Sequence, residues 1–537
     1  MNILGFSGGI RIGNQDGAAA LVVDGELIAA AEEERFVGVK FANGRLPRHA
    51  AEFCLRQAGL EIHDIDAVVF AGATYENFDT ILHRFLEYQF GHAPPVVLVD
   101  HHAAHAASTY FGSGWDESLV VTIDRSGDRK STTVSTARNG QIQLVESTGR
   151  ENSLGLFYSA VTQFLGFESD RDEYKVMGMS AYGRPVHDFS HVLEITSSGY
   201  QFHCDFIRGI LDGVPGPSKQ ERLFDAFPLN LHPRVPGTPF QDDHFNVAAS
   251  AQYQLEQAVL QVIKHHVDST GIRRVCLAGG VALNCLLNQK IREADFVDEI
   301  YAPPVCSDAG LALGAAYLHG ANNGDQPRPL GHAYWGPEFS DTEIRDVLVR
   351  SKLNYQETAD PVAAAVERIA AGKILGWFQG RMEYGPRALG NRSILASPQN
   401  ANMKERINSR VKFREEFRPF APSMLSSDTS EYFENATFSP FMTQTFTAKN
   451  KLREQAPATV HEDATSRPQS VLAGTNPLFA SLISSLGKAT GVPVVLNTSL
   501  NAYSDPIACE PYQALRTFFA TGLDSLVMGN FVLDKPF

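Results

Sequence analysis

In Val99-Asp100-His101-His102-Ala103-Ala104-His105, two histidines stand four residues apart behind an apolar run, Val96 to Val99. Such a run reads as a buried strand, and the small residues from Ala103 to Thr109 read as the helix it enters. At helical spacing His101 and His105 point the same way, which suits two nitrogen ligands on one metal. A second apolar strand, Leu119 to Ile123, ends at Asp124. A third, Arg274 to Ala278, opens into Gly279-Gly280-Val281-Ala282-Leu283-Asn284, and Cys306-Ser307-Asp308-Ala309-Gly310 comes later. Two histidines and two aspartates, each where a strand meets a turn or helix, make a His2Asp2 metal site beside a glycine turn. Open α/β sheets bind ligands at the carboxyl ends of their strands. Two histidines at this spacing also occur as half-exposed surface residues.

A second constellation is basic. Gly380, Arg381, Gly385, Arg387, Gly390 and Arg392 fall within thirteen residues of a chain whose net charge is −15. Lys404, Arg406, Arg410, Lys412, Arg414 and Arg418 follow. Together they form a local cationic patch able to hold phosphate by bidentate contacts. Lys404 to Arg414 alone reads equally as a solvated basic helix. Glycine and proline in Gly385-Pro386-Arg387 fix a loop. Thr465-Ser466-Arg467-Pro468-Gln469 and Leu496-Asn497-Thr498-Ser499-Leu500-Asn501 add polar groups, the second at the end of the strand Val492 to Val495.

The elements that must position these groups can be read in order. Asn2 to Phe6, Ala18 to Val23 and Glu26 to Ala31 read as a strand, a polar loop and a hairpin, a pattern that resembles the opening of the actin-like ATPase fold. After Asp124, Arg125-Ser126-Gly127-Asp128 leads to strands Ser131 to Thr136 and Gln141 to Glu146. Two halves that each open with a hairpin suggest duplicated lobes. Helices are expected at Pro47 to Gly59, Asn77 to Gln89, Ser153 to Phe167, Asn246 to Ser269, Asp308 to Leu318 and Pro361 to Gly372. Glu32-Glu33-Glu34-Arg35-Phe36 reads as a solvated face, and residues 184 to 245 as an inserted loop region. A domain boundary is placed near residues 335 to 355. Gly279-Gly280, between strand and helix, lets backbone N–H groups approach phosphate.

At 537 residues the chain exceeds one ordinary core. An apolar content of 43% and a charged content of 20% are those of a globular enzyme. The net charge of −15 argues against nucleic acid or an anionic membrane as the main partner. The six cysteines are scattered with no CxxC, so buried reduced thiols are expected. No basic-then-apolar leader precedes the first strand, and no apolar run reaches transmembrane length. A cytoplasmic location is expected.

The chain resembles the O-carbamoyltransferases of antibiotic and nodulation-factor biosynthesis over nearly its whole length. The resemblance lies in Glu32-Glu33-Glu34-Arg35, Asp100 to His105, Glu173-Tyr174-Lys175-Val176-Met177-Gly178, Gly279 to Asn284, Gly385 to Ser393, Phe417 to Pro422 and Asn497-Thr498-Ser499. It implies an α/β chain of two domains. Residues 1–340 would form a duplicated actin/Hsp70-type ATPase-like (Kae1-like) domain, as in tRNA threonylcarbamoyl transferases, and residues 355–537 a YrdC-like α/β domain. It further implies that His101, His105, Asp124 and Asp308 carry a divalent metal, Fe(II) first. Gly127, Gly279, Gly280, Asn284 and Ser307 would contact nucleotide, which binds as ATP with Mg2+. Arg387, Lys412 and Arg418, then Arg467 and Asn497, would hold carbamoyl phosphate and ATP while carbamoyl-adenylate forms. The hydroxyl of a small natural product would then take the carbamoyl group. Where the family carries His-Asp in the first loop, this chain has Gln15-Asp16. The general-base role therefore falls to Asp16 or His102, with Lys40 as a third catalytic candidate. A homodimer is a further expectation.

Other readings use parts of the same residues. A metalloprotease or kinase of the ATPase fold would use the histidine pair but leave the arginine-rich region unexplained. A tRNA threonylcarbamoyl transferase would need a basic stripe that this acidic chain lacks. A non-catalytic carbamoyl phosphate or nucleotide sensor would not need the full ligand set.

Overall fold

The computed structural model describes residues 1–10, 16–203 and 232–535. Gln15 and residues 204–231 of the expected inserted loop lie outside them. The chain divides into two compact units. Met1–Phe70, Asp79–Val97 and Asp308–Phe537 form the first, and Ala71–Phe78 with Leu98–Ser307 the second.

The first five strands are β1 (Asn2–Ser7), β2 (Ala18–Val23), β3 (Glu26–Glu32), β4 (Ala67–Ala71) and β5 (Val96–Val99). They make a sheet of order β3-β2-β1-β4-β5, with β1 antiparallel to β2 and parallel to β4. Strands β1, β2 and β4 are near-continuous apolar runs, as strands covered on both faces must be. The small-residue helix Gly310–Asn322 lies on β1. Its approach is so close that a Cβ on Gly5 would stand 1.8 Å from the Ala312 carbonyl oxygen.

In the second unit β6 (Glu117–Gly127), β7 (Lys130–Arg138) and β8 (Gln141–Gly149) form a meander. A small hairpin follows, β9 (Leu193–Thr196) with β10 (Gly199–Phe202). That hairpin falls in the stretch read from sequence as loop, because four-residue strands are too short to show a period. Strands β11 (Arg274–Ala278) and β12 (Glu299–Tyr301) then join β6, giving the order β12-β11-β6-β7-β8. Taken from β8, this is the order of the first sheet: three meander strands, then two more beyond the first of them. The duplication expected from the paired hairpins is present. The 29-residue helix Asp242–Thr270 belongs to this unit.

The third sheet belongs to the first unit. Its strands are β13 (Gln356–Glu357), β14 (Leu375–Phe378), β15 (Arg392–Ala396), β16 (Ala421–Leu425), β19 (Gln469–Val471), β20 (Val494–Ser499), β21 (Ser525–Met528) and β22 (Phe531–Asp534). The numbers between belong to a separate ribbon, β17 (Phe446–Thr447) with β18 (Thr465–Ser466). The order is β13-β22-β21-β14-β15-β20-β16-β19. Alternate residues feed two cores. Trp377, Leu395, Val495 and Val527 face one; Phe378, Ile394, Leu496 and Leu526 face the other. The chain is thus an α/β protein built on mixed sheets. Among the described residues no helix is long and apolar enough to cross a membrane.

Two charged segments depart from their sequence reading. Glu32, Glu33, Glu34 and Arg35 are all buried, none more than 8% exposed. Each is engaged: Arg35 pairs with Glu32 and Glu34 at 2.8 Å, and Glu33 accepts the Ala50 N–H at 2.9 Å. Glu33 thereby serves the start of the helix Arg48–Ala58, whose preceding Pro47 supplies no side-chain cap. The basic stretch is not one solvated helix either. A short helix, Met403–Ile407, passes into a π-helical turn, Asn408–Lys412, which sends Lys412 inward.

Candidate functional site

The metal-type donors are set by helix capping. The helix His101–Ser113 begins at Asp100, whose carboxylate accepts the Ala103 N–H at 3.0 Å and pairs with Lys130 at 2.6 Å. Asp128 accepts the His101 N–H at 2.8 Å, the N–H groups of Ala73 and Thr74 at 3.0 and 2.9 Å, and the Thr74 hydroxyl at 2.7 Å. Orphan amides at the helix start are thus satisfied by fixed carboxylates. His101 Nε2 lies 3.2 Å from Asp124 Oδ2, while Asp124 Oδ1 accepts the Gly280 N–H at 3.0 Å. Burial pushes the Asp124 carboxyl up, but the His101 contact and the charges of His101, His105 and His102 hold it well below the usual range.

Donor atoms of His101, His105, Asp124 and Asp308 all lie within 4.8 Å of one another. Asp308 is the residue directly after Ser307, where the second unit ends, so the peptide bond at that boundary carries it. Ligands across one ion at about 2.1 Å stand about 4.2 Å apart, so this set could hold a metal after small adjustment. Two imidazoles and two carboxylates suit a divalent first-row ion.

The neighbouring candidates take varied places. His102 is 1% exposed and its Nδ1 sits 2.6 Å from Thr122 Oγ1, which meets Thr133 Oγ1 at 2.7 Å. Burial, then repulsion from His101 and His105, lowers its pKa to about 3, so it is a neutral wall residue. Gly127 lies against His101, where a Cβ would fall 2.1 Å from the ring. Gly279 has φ +89°, and a Cβ there would meet the Ile123 carbonyl oxygen at 2.3 Å. The Gly280 N–H is engaged by Asp124. Asn284 caps the helix Cys285–Arg292 through Leu287 N–H at 3.0 Å and exchanges hydrogen bonds with Gln252. Ser307 is half-buried beside Asp308. Asp16 has φ 56°, donates its N–H to Phe41 O at 2.9 Å and accepts from Ser7 at its carbonyl.

The cationic groups gather within the first unit. Lys412 is 5% exposed, and its ammonium donates to Ser499 O at 2.5 Å, Asn501 O at 3.1 Å and Asn501 Oδ1 at 2.7 Å. Its pKa is driven well below the ordinary lysine value, first by burial and then by the charges of Arg414, Arg418 and Lys40. Lys40, hundreds of residues away in sequence, therefore lies within electrostatic reach of Lys412. Arg387 and Arg418 are half-buried, and Arg418 pairs loosely with Glu415 at 3.6 Å.

Asn497 is 2% exposed at the end of β20. Gln469 Nε2 donates to Leu389 O at 2.7 Å, which leaves Gln469 Oε1 facing Asn497 Nδ2 at 3.1 Å. Asn497 Nδ2 also meets Ala388 O at 3.3 Å and Ser423 Oγ at 3.0 Å. The amide orientation is forced, because the carbonyls can only accept. Asn497 Oδ1 is left buried without a hydrogen-bond partner, and so is Arg467 Nε. Asn497 borders the loop that carries Arg387, through Ala388 O. A buried open acceptor beside a cationic loop can take a hydrogen bond from a ligand donor.

Arg392, one of the cations in the sequence patch, is not available to a ligand. It is 0% exposed, with its guanidinium on the carbonyls of Gln379, Gly380, Asn391 and Pro337 and over the Phe378 ring at 3.7 Å. Burial lowers its pKa to about 10. Arg381 is likewise spent on the Ile28 and Trp335 carbonyls.

Glu383 and Tyr384, which sequence reading passes over, join Gly385, which it reads as fixing a loop, in holding the Arg387 loop. Glu383 Oε1 accepts the N–H groups of Leu389, Asn391 and Arg392 at 2.7, 2.8 and 3.3 Å. The Tyr384 hydroxyl donates to the Ala309 carbonyl. Gly385, at φ +121°, gives its N–H to Glu32 at 3.0 Å and takes Arg35 Nη2 on its carbonyl at 2.9 Å. A buried glutamate inside an arginine-rich run was the one signal in the sequence.

Comparison with known proteins bears on the whole chain. The model described as "Carbamoyltransferase N-terminus" matches residues 7–91 and 87–317, and "Carbamoyltransferase C-terminus" matches 366–535. "Nodulation protein NolNO" of Sinorhizobium fredii is 37% identical, with the match covering 97% of this chain and 79% of that protein. "Nodulation protein NolO" of Bradyrhizobium diazoefficiens is 39% identical, covering 81% of this chain and 79% of that protein. Among solved structures, HypF of T. kodakarensis overlays with a TM-score of 0.40 at 14% identity, covering 60% of this chain and 48% of that one. With both halves of the family model matched in order and relatives aligned over most of their length, the chain belongs to the carbamoyltransferase family and is an enzyme of that family.

Proposed function

We propose that this enzyme is an ATP-dependent O-carbamoyltransferase that works in two steps on one chain. In residues 355–537, water cleaves carbamoyl phosphate to carbamate and phosphate, and the carbamate oxygen attacks the α-phosphorus of ATP, held with Mg2+, to give carbamoyl-adenylate and pyrophosphate. In residues 1–340, a hydroxyl of a small natural product takes the carbamoyl group, losing its proton and releasing AMP, a step of antibiotic or other secondary metabolism. Buried cysteine thiols at 54, 276, 285, 306 and 509 fit a reducing cytoplasm.

The observation that carries this reading is the open, buried acceptor of Asn497 beside the Arg387 loop. Its Oδ1 is an acceptor, which a carbamoyl NH2 fills as donor. Arg467 Nε is a donor, which an oxyanion fills. Arg387 and Arg418 supply charge for a small dianion. Lys412, fully bonded to the Ser499–Asn501 turn, shapes that turn and adds field. Water exclusion matters because a carbamoyl-adenylate is a mixed anhydride open to hydrolysis.

His101, His105, Asp124 and Asp308 would hold the metal, Fe(II) in this proposal, which when bound supplies positive charge to stabilise a leaving phosphate. Asp128 and Asp100 keep the histidine helix in place. Asp16, in the first loop, is our choice for the base that takes the acceptor proton, since His102 is held neutral against Thr122 and shielded from solvent. Lys40 adds charge near Lys412.

The test is incubation with ATP, carbamoyl phosphate and iron(II), followed by assay for pyrophosphate and carbamoyl-adenylate. Both should form, and Arg418→Ala should abolish them. An enzyme that binds ATP yet makes neither product from carbamoyl phosphate overturns the scheme.

A further inference from the structure

Asp308, a donor of the metal-type cluster, and Arg387, on the cationic loop, belong to different sites, yet one short segment is fastened beside both. Tyr384 reaches from that segment to the carbonyl of Ala309, the residue that immediately follows Asp308. Its ring is 1% exposed, so the hydroxyl has no competing water. Gly385, the next residue, is gripped on both its N–H and its carbonyl by the Glu32–Arg35 pair, at 3.0 and 2.9 Å. Glu383, the residue before, gathers three amides of the 389–392 turn. Arg387 lies between these anchors. Gly385 itself sits at φ +121°, a conformation open to glycine and strained for other residues, so the segment has little freedom to relax.

We propose that Glu383-Tyr384-Gly385 is a strap that sets the metal ligand Asp308 and the anion-holding Arg387 in one fixed geometry. Tyr384 is the positioning residue on the metal side and the Glu32–Arg35 pair the positioning device on the anion side. The inference rests on the two-step reading above. A bond to the carbonyl of the residue next to a ligand restrains the ligand's backbone, as partners behind metal ligands do. Holding both groups of Gly385 with an ion pair uses charge-assisted hydrogen bonds, the stronger kind. The first hairpin, through Glu32 at the end of β3, thereby helps to shape a loop more than three hundred residues later.

The experiment compares the full-length wild type with Tyr384→Phe and Glu32→Gln. Iron(II) affinity is measured by anaerobic equilibrium dialysis, and pyrophosphate formation gives KM and kcat for carbamoyl phosphate. Y384F keeps the ring and loses the hydroxyl. It should bind iron(II) about tenfold more weakly. E32Q should raise KM for carbamoyl phosphate several-fold while iron(II) affinity stays at the wild-type value. A merely structural role would lower the melting temperature of both variants and leave affinity and KM unmoved, which overturns the strap. E32Q changes a single atom, so an unaltered KM there overturns it even if Y384F does not fold. A wild type that binds no iron(II), or makes no pyrophosphate, overturns the two-step reading itself. A wild type competent in both, with variants that match it, overturns the strap alone.

Discussion

The carboxylate of Asp128 accepts the backbone N–H of His101 at 2.8 Å. The same carboxylate collects three donors from Ala73 and Thr74, so the first residue of the histidine helix is tied to the β6–β7 turn. Burial raises the Asp128 carboxyl, but the hydrogen bonds of Thr74, His101 and Ala73 outweigh it and hold it low. Asp128→Ala should cost about 1–3 kcal/mol, the usual loss when buried donors are left unpaired. Because His101 is the residue released, iron(II) affinity should fall as well. Thermal unfolding with and without iron(II) reads both effects. An unchanged shift on adding iron(II) would mean that the helix start holds without this carboxylate.

Gly127 is the position where a side chain would be least tolerated near the donors. A Cβ there falls 2.1 Å from His101 Cδ2 and Cγ and 2.4 Å from its Nε2, far inside contact distance. Gly127→Ala should displace His101 and abolish iron(II) binding while ATP-dependent pyrophosphate formation persists. Dialysis of the variant against iron(II) checks it; normal binding would show that His101 is not a ligand.

Removal of metal should separate the two proposed steps. After anaerobic chelation, removal of the chelator and resupply of Mg2+ alone, pyrophosphate release from ATP and carbamoyl phosphate should continue at the native rate. Transfer to an acceptor hydroxyl should stop, and return with iron(II). Loss of both activities together would place the metal in the activating step instead.

Arg387 and Arg392 are five residues apart and should behave oppositely. Arg392→Met leaves the carbonyls of Gln379, Gly380, Asn391 and Pro337 unpaired in the core. It should cost about 3–5 kcal/mol of stability, the range for breaking a buried charged group. Arg387→Ala, at a half-buried position, should leave the unfolding midpoint nearly unchanged and raise KM for carbamoyl phosphate at least tenfold. Chemical denaturation alongside steady-state kinetics distinguishes them.

How far the sequence revealed this arrangement depended on distance along the chain. His101 and His105 declared themselves by helical spacing, Asp124 by following the apolar run Leu119 to Ile123, and Asp308 by preceding a small-residue helix. The doubled sheet showed through its two hairpins. Glu32 to Arg35 did not, because a charge run reveals its burial only through partners, and Gly385 lies hundreds of residues on. Arg392 looked like a ligand for the same reason: its carbonyl partners carry no side-chain signature. Tyr384 and Glu383 were hidden because their partners are backbone groups brought near by the fold. Local periodicity specifies elements, whereas which polar group meets which backbone atom is decided by tertiary packing.

Asn497 offers the sharpest test of substrate identity. Its Nδ2 is occupied by Ala388 O, Ser423 Oγ and Gln469 Oε1, so only Oδ1 is open, buried and without a partner. An acceptor in that state discriminates between acyl phosphates: carbamoyl phosphate brings an NH2 that donates, and acetyl phosphate brings a methyl that cannot. A site built to receive a donor rejects an analogue lacking one because its own buried acceptor then stays unpaired. The wild type should therefore prefer carbamoyl over acetyl phosphate by about 100-fold or more in kcat/KM for pyrophosphate release. Asn497→Leu, of similar length and without the acceptor, should erase most of that preference by lowering kcat/KM for carbamoyl phosphate far more than for acetyl phosphate. If the variant loses activity on both substrates equally, Asn497 supports the Arg387 loop and does not read the carbamoyl group.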